Sequence, residues 1–211
     1  MEYKHSLVVS DWKVFGLEDS VRASKYPMSV STADVAYGIT DTVNSLAASP
    51  VGSGHDQFMT GIVAQFDLTF SVKAWVEAER YHFFDFVSSQ STMHRITRLD
   101  PAKQVNEYVD PRTLDVLCEK INVYNKTKDP EDYLRVLFNV PTGYRLTARM
   151  TTNYRQLKTI YHQRKNHRLP EWRAFCRWIE SLPHSEFITG KAPAGSPMEI
   201  ICEEVTLCPG V

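Results

Sequence analysis

The chain has 211 residues, 43% hydrophobic and 23% charged, which excludes wholesale disorder and fits a single globular domain over 1–211. The formal net charge is −1, so no bulk field draws it to a nucleic-acid polymer or an anionic membrane, and any anionic partner must be recognised locally. No stretch has the length and apolarity of a signal peptide or a membrane span, and the cytoplasm is the expected compartment.

Residues 7–9 read as a short first strand and residues 16–26 as a short helix stopped near Pro27. Ser31 or Thr32 is placed to cap a second helix, in which Val35, Ile39, Val43 and Leu46 recur at helical spacing. Residues 48–54, rich in Ser, Gly and Pro, form a loop. Residues 65–72 give the cleanest strand, with Phe66, Leu68, Phe70 and Val72 alternating with polar partners. An aromatic-rich helix is expected over 73–86, then a Ser/Gln loop over 87–92.

Leu114, Leu117, Cys118, Ile121 and Tyr124 mark one face of a helix over 111–124. Asp129-Pro130 can start a further element, and residues 133–150 read as strands broken by the Pro141-Thr142-Gly143 turn. A basic helix over 153–166 follows. The next helix opens with Pro170 at its first position, carries Trp172, Phe175, Ile179 and Leu182 on one face, and ends at Pro183. A last strand is possible over 198–207. Strands mixed with long helices predict an α+β fold, a mixed or antiparallel sheet packed with helices.

Of the four cysteines, Cys118 and Cys176 lie in apolar helical patterns and read as small core residues. Cys202 and Cys208 are near enough to pair, but reduced thiols are the expected state, and no spacing suits zinc. The seven histidines offer no HExxH, and there is no GxSxG, P-loop or GxGxxG.

Two stretches concentrate chemistry. On the basic helix, Leu157, Ile160 and Tyr161 define an apolar side from which Arg164 also projects. A guanidinium there needs an anion, because an unpaired buried charge is very costly. One reading gives it a bound phosphate or ionised base, the other a structural salt bridge to an acidic residue. In the second stretch, Ser88, Ser89, Gln90, Ser91 and Thr92 precede His94 and Arg95, so hydroxyls crowd beside a cation, either as a phosphate-binding loop or as a solvated turn. His55, after Gly52-Ser53-Gly54, is a weaker candidate.

Three stretches together resemble the flavin-dependent thymidylate synthases. Leu68-Thr69-Phe70-Ser71-Val72-Lys73-Ala74 is similar to that family's strand leading to its signature loop, with Gly54-His55 upstream. The loop pattern RHRxxSxNExSxR meets residues 84–95 here. Arg95 stands for the final arginine, while Phe84, Asp85 and Phe86 replace the initial RHR. Counting from Lys73 makes Ser89 the signature serine, and counting back from Arg95 makes it Ser88. Third, Asn153, Arg155, Leu157 and Arg164 match the family's later helix in register, and His167 and Glu171 match after a one-residue shift. The likeness covers about residues 54–182.

The resemblance implies FAD as cofactor, methylenetetrahydrofolate and NADPH as co-substrates, and methylation of dUMP to dTMP or a related C5 modification of a pyrimidine nucleotide. It also implies a homotetramer. By position, Arg164 meets the uracil. Ser88, Ser89, Gln90, Ser91 and Arg95 hold the nucleotide phosphate, with Arg135, expected on a strand, as a looser candidate. Asn153, Arg155, His167 and His55 face FAD. The lost RHR leaves a second reading open, a non-catalytic nucleotide-binding homologue.

Overall fold

A computed structural model describes residues 3–191. The expected last strand over 198–207, Cys202 and Cys208 lie outside the described residues. The centre is a four-stranded antiparallel sheet in the order β1-β2-β4-β3, formed by β1 (Val9–Phe15), β2 (Val63–Ser71), β3 (Phe84–Ser89) and β4 (Arg145–Asn153). The α+β expectation holds, with every strand pair antiparallel.

β2 and β4 pair without interruption from Val63↔Asn153 to Ser71↔Arg145. The strict alternation of β2 puts Ala64, Phe66, Leu68 and Phe70 on one face, all fully buried. The Phe66, Leu68 and Phe70 side chains each contribute about 1.5–3 kcal/mol by leaving water. Helices cover this face. They are α1 (Leu17–Ala23), α2 (Asp41–Ala48), α3 (Val72–Ala78), α8 (Tyr154–Arg164), α9 (Pro170–Glu180) and α10 (Glu186–Thr189). Phe66, Phe84, Phe175 and Trp178 interlock there, with Phe66 and Trp178 centroids 4.5 Å apart.

The other face of β2 and β4 is polar. Thr69 and Thr147 share a 2.7 Å hydrogen bond, and Arg149 pairs with Asp11 at 3.0 Å and Asp67 at 3.3 Å. A second, smaller core joins α4 (Thr92–Arg95), α6 (Pro111–Thr127) and α7 (Pro130–Leu137) through Ile96, Leu117, Ile121 and Val136 around Tyr144. The short α5 (Pro101–Gln104) precedes α6.

Several expectations are corrected. The first strand begins only at Val9, because an irregularity between Ser10 and Lys13, with Asp11 at φ 43, hides the alternation of Trp12 and Val14. Gly16 caps α1 at φ 70, and a Cβ there would stand 2.6 Å from the Gly61 carbonyl oxygen. The second helix starts at Asp41, capped by the Thr40 side chain, while Ser31 precedes only a 3-10 turn, Thr32–Asp34.

The aromatic helix stops at Ala78, and the Phe84, Asp85, Phe86 stretch is an edge strand. Phe84 faces the core against Phe66, Asp85 faces out, and Phe86 returns against Trp75 at 4.9 Å. The apolar run that reads as strand from Tyr133 is helix α7, opened by the Asp129 cap and Pro130. Cys176 is buried and its thiol is pushed up to about 12 by burial, whereas Cys118 is half-buried. No helix among the described residues is long and apolar enough to cross a membrane.

Candidate functional site

Helix α8 carries Arg155 and Arg164, with Asn153 at its start and His167 just beyond its end. The β4 chain ends in Asn153, whose side-chain oxygen accepts from the Gln156 N–H at 2.9 Å and so caps the helix. Tyr154, Leu157, Ile160 and Tyr161 then bury one stripe against the sheet, and that stripe continues into Arg164.

Arg164 is 6% exposed and held on several sides. Its Nη1 donates to Glu77 Oε2 at 2.9 Å, and its Nε donates to the Tyr81 hydroxyl at 2.7 Å. The guanidinium carbon lies 4.8 Å from the Trp172 ring centroid and 5.5 Å from that of Tyr81. Nη1 also meets His167 Nε2 at 2.7 Å. Nε2 also lies 3.3 Å from Glu77 Oε2, and the Leu169 N–H donates to Nδ1 at 3.2 Å, so the ring is held at both nitrogens. Burial of His167, and then the Arg164 charge, lower its pKa and favour the neutral ring.

The salt-bridge reading of Arg164 is therefore realised, with Glu77 as the partner. The reading that gives it a ligand keeps one opening. Among the described residues Nη2 has no hydrogen-bond partner, and it is absent from the sealed, unpartnered atoms.

At the other end of α8, Asp56 is fully buried and accepts from Arg155 Nε at 3.0 Å and Lys158 Nζ at 3.2 Å. Lys158 also donates to the carbonyls of Ala47 and Ser49. The Gly/Ser loop is thus stitched onto α8, which brings the exposed His55 close to Arg155. The Arg155 side chain is 28% exposed, and among the described residues its two terminal nitrogens have no hydrogen-bond partner. Asn153, Arg155 and His55 therefore share one end of α8. His167 does not join them, since it sits with Arg164 about 16 Å away along the helix axis.

The hydroxyl-rich stretch is mostly strand rather than loop. A bulge between Phe86 and Ser88 pairs Ser88 with Arg149 and Ser89 with Ala148. Ser88 consequently faces the polar side of the sheet and Ser89 the helix side. The Gln90 side chain and backbone both bond Thr147, at 2.9 Å each, extending the ladder by one residue. Ser91 precedes α4 without a side-chain cap, and among the described residues the guanidinium of Arg95 on α4 has no hydrogen-bond or ion-pair partner. The Tyr133 hydroxyl donates to the Met93 carbonyl at 2.7 Å, tying α4 to the helix that carries Arg135. Arg135 lies on that helix, not on a strand, and is engaged by Asp132 at 2.6 Å.

The residues that sequence reasoning missed are Glu77, Tyr81, Trp172 and Asp56. Glu77 falls four residues after Lys73, a helical pairing visible in the sequence. Asp56 has no pattern to mark it.

Solved structures supply the comparison for this geometry. A thymidylate synthase X from Helicobacter pylori, with FAD and dUMP, superposes with a TM-score of 0.67 at 13% identity, over 87% of this chain and 97% of the other. The fold is that of the flavin-dependent thymidylate synthases. A second structure of the Helicobacter pylori enzyme with FAD and dUMP gives 0.66 at 15% identity, covering 90% of this chain and 99% of that one. The UMP/dUMP methylase PolB from Streptomyces cacaoi, bound with 5-Br UMP, gives 0.54 at 13% identity, covering 82% and 88%. No family model and no curated protein matches the sequence.

Proposed function

We propose that the protein is a flavin-dependent enzyme that methylates dUMP to dTMP or makes a closely related C5 modification of a pyrimidine nucleotide. The similarity of fold across most of the chain to structures holding FAD and dUMP, and to a UMP/dUMP methylase, carries this reading. Methylenetetrahydrofolate as one-carbon donor, NADPH as reductant and a cytoplasmic location belong to the same proposal.

The residues present fit a flavin at one place. The free terminal nitrogens of Arg155, beside His55 at the opening of α8, suit an anionic diphosphate. The stretch that replaces RHR offers no cation, because Phe84 is core and Asp85 is an exposed acid. A bound reduced flavin would supply the hydride. Arg164, clamped through Nε and Nη1, would present Nη2 to the pyrimidine ring and favour negative charge on it. Ser91 and Arg95 would hold the phosphate with only one of Ser88 and Ser89, which face opposite sides of the sheet, and Gln90 is already committed to the ladder.

A homotetramer with shared sites accounts for one further fact. Within one chain the Arg155 end and the Arg164 end of α8 are held apart, so a site built between copies would draw each from a different subunit. The non-catalytic alternative is favoured by one observation, an edge strand with a buried Phe84 and an exposed Asp85 where the RHR cations would stand.

Incubating the protein with dUMP, methylenetetrahydrofolate, NADPH and FAD, and identifying the nucleotide product by mass, tests the proposal. A methylated or otherwise C5-modified pyrimidine that disappears in Arg164→Ala is expected. Binding of dUMP with no turnover under any one-carbon donor selects the non-catalytic reading.

A further inference from the structure

A cavity of about 460 Å³ is lined by none of the residues proposed to hold the flavin or the nucleotide. It opens where β2 turns into α3, between the start of α6, the Thr142-Gly143 turn and the start of α9. Its volume is within the range of small-molecule sites. Val109, Pro141, Leu169 and Pro170 supply apolar wall, while Lys73, Asp110 and Glu171 supply charge.

Glu171 is the unusual member. It is 2% exposed, and among the described residues it makes no hydrogen bond or ion pair. A buried carboxylate without a donor is costly. The nearest cation on the cavity wall, Lys73, is turned to Glu77 at 3.7 Å instead. Around Glu171 the protein leaves more polar atoms unsatisfied. Among the described residues the Tyr3 hydroxyl, Glu107 Oε2 and Arg145 Nε are sealed and without a hydrogen bond, with Glu107 Oε2 3.9 Å from His5 Nε2, and Glu171, Arg145 and Glu107 all act electrostatically on Tyr3.

The chemistry narrows the occupant. An anion is disfavoured, because two carboxylates face the cavity and both helix N-termini are already met by their own acids, Asp110 capping α6 and Glu171 in the first turn of α9. A metal ion lacks ligands, since no cluster of three His, Cys, Asp or Glu among the described residues suits one. A flat pair of N–H groups matches both oxygens of a carboxylate at once, and a ring behind it can lie on the proline-rich wall. We propose that this cavity binds a small planar molecule with an amidine-type edge, two adjacent N–H donors received by the buried Glu171 carboxylate.

The test titrates benzamidine into the full-length protein and follows backbone amides by ¹H–¹⁵N NMR. Saturable shifts at Tyr108, Gly143 and Glu171 are expected, with benzoate and methylammonium inert at the same concentrations. Glu171→Gln should weaken binding about tenfold or more, as loss of a charged hydrogen-bonded pair does. Thr113→Trp, at an exposed position on the cavity rim, should block binding in a folded protein even if Glu171→Gln unfolds. The proposal is overturned if shifts fall elsewhere, if methylammonium reproduces them, or if either folded variant keeps the parent affinity. Titration with dUMP is read separately, so failure here leaves the nucleotide reading untouched.

Discussion

Arg164 has three guanidinium nitrogens and spends two of them on its own protein. A side chain fixed in this way loses little freedom when the third meets a ligand, which is how a positioned cation becomes effective. Arg164→Lys is the informative change. The lysine keeps a charge near Glu77 but has no fork, so dUMP affinity should fall about tenfold or more while stability drops modestly. Calorimetric titration of dUMP checks this, and unchanged affinity would remove Arg164 from the site. The charge of this residue was legible in the sequence, and so was the need for an anion. The identity of that anion was not, because Glu77 reaches Arg164 from a different element, 87 residues away in the chain.

At the scale of elements, β3 and the α8 junction set the terms. Sequence periodicity located β2, α8 and α9 because each keeps one clean period over its length. It failed at β3, where consecutive aromatics fit a helix or a strand equally well until β4 provides an edge to pair with. It failed at α7 because the apolar Tyr133, Leu134, Val136 and Leu137 fit a strand as well as a helix, and the Asp129 cap and Pro130 decide for the helix. The strand makes a sharp prediction. Restoring the family's first cation with Phe84→Arg should abolish folding, because it buries a charge against Phe66 and Phe175. Asp85→His, on the exposed side, should be tolerated. Circular dichroism melts separate the two, and a folded Phe84→Arg protein would contradict the register. At the other end of α8, Asp56→Asn should cost about 3 kcal/mol, the low end for breaking a buried pair, since Lys158 keeps two carbonyl acceptors. Urea denaturation measures it.

For the molecule as a whole, three histidines link stability to pH in the same direction. His5, His162 and His167 all have pKa values lowered below 6.5, chiefly by burial, so each folds as the neutral ring. The unfolded chain then binds more protons than the folded one as pH falls through 6.5. Stability should therefore decline on acidification from about that pH, before the carboxylates titrate. A melting temperature that stays level from pH 7 to pH 5 would contradict this assignment, and His167→Gln should soften the decline.

The central claim is that this fold still serves a flavin and a pyrimidine nucleotide although Phe84, Asp85 and Phe86 of an edge strand stand where the signature cations would be. The most direct measurement is the visible absorption spectrum of the purified protein, with FAD added and dUMP titrated. Flavin bands near about 450 nm that shift as dUMP is added are the predicted result, placing cofactor and nucleotide together. A protein that takes up no flavin, with or without dUMP, would contradict it.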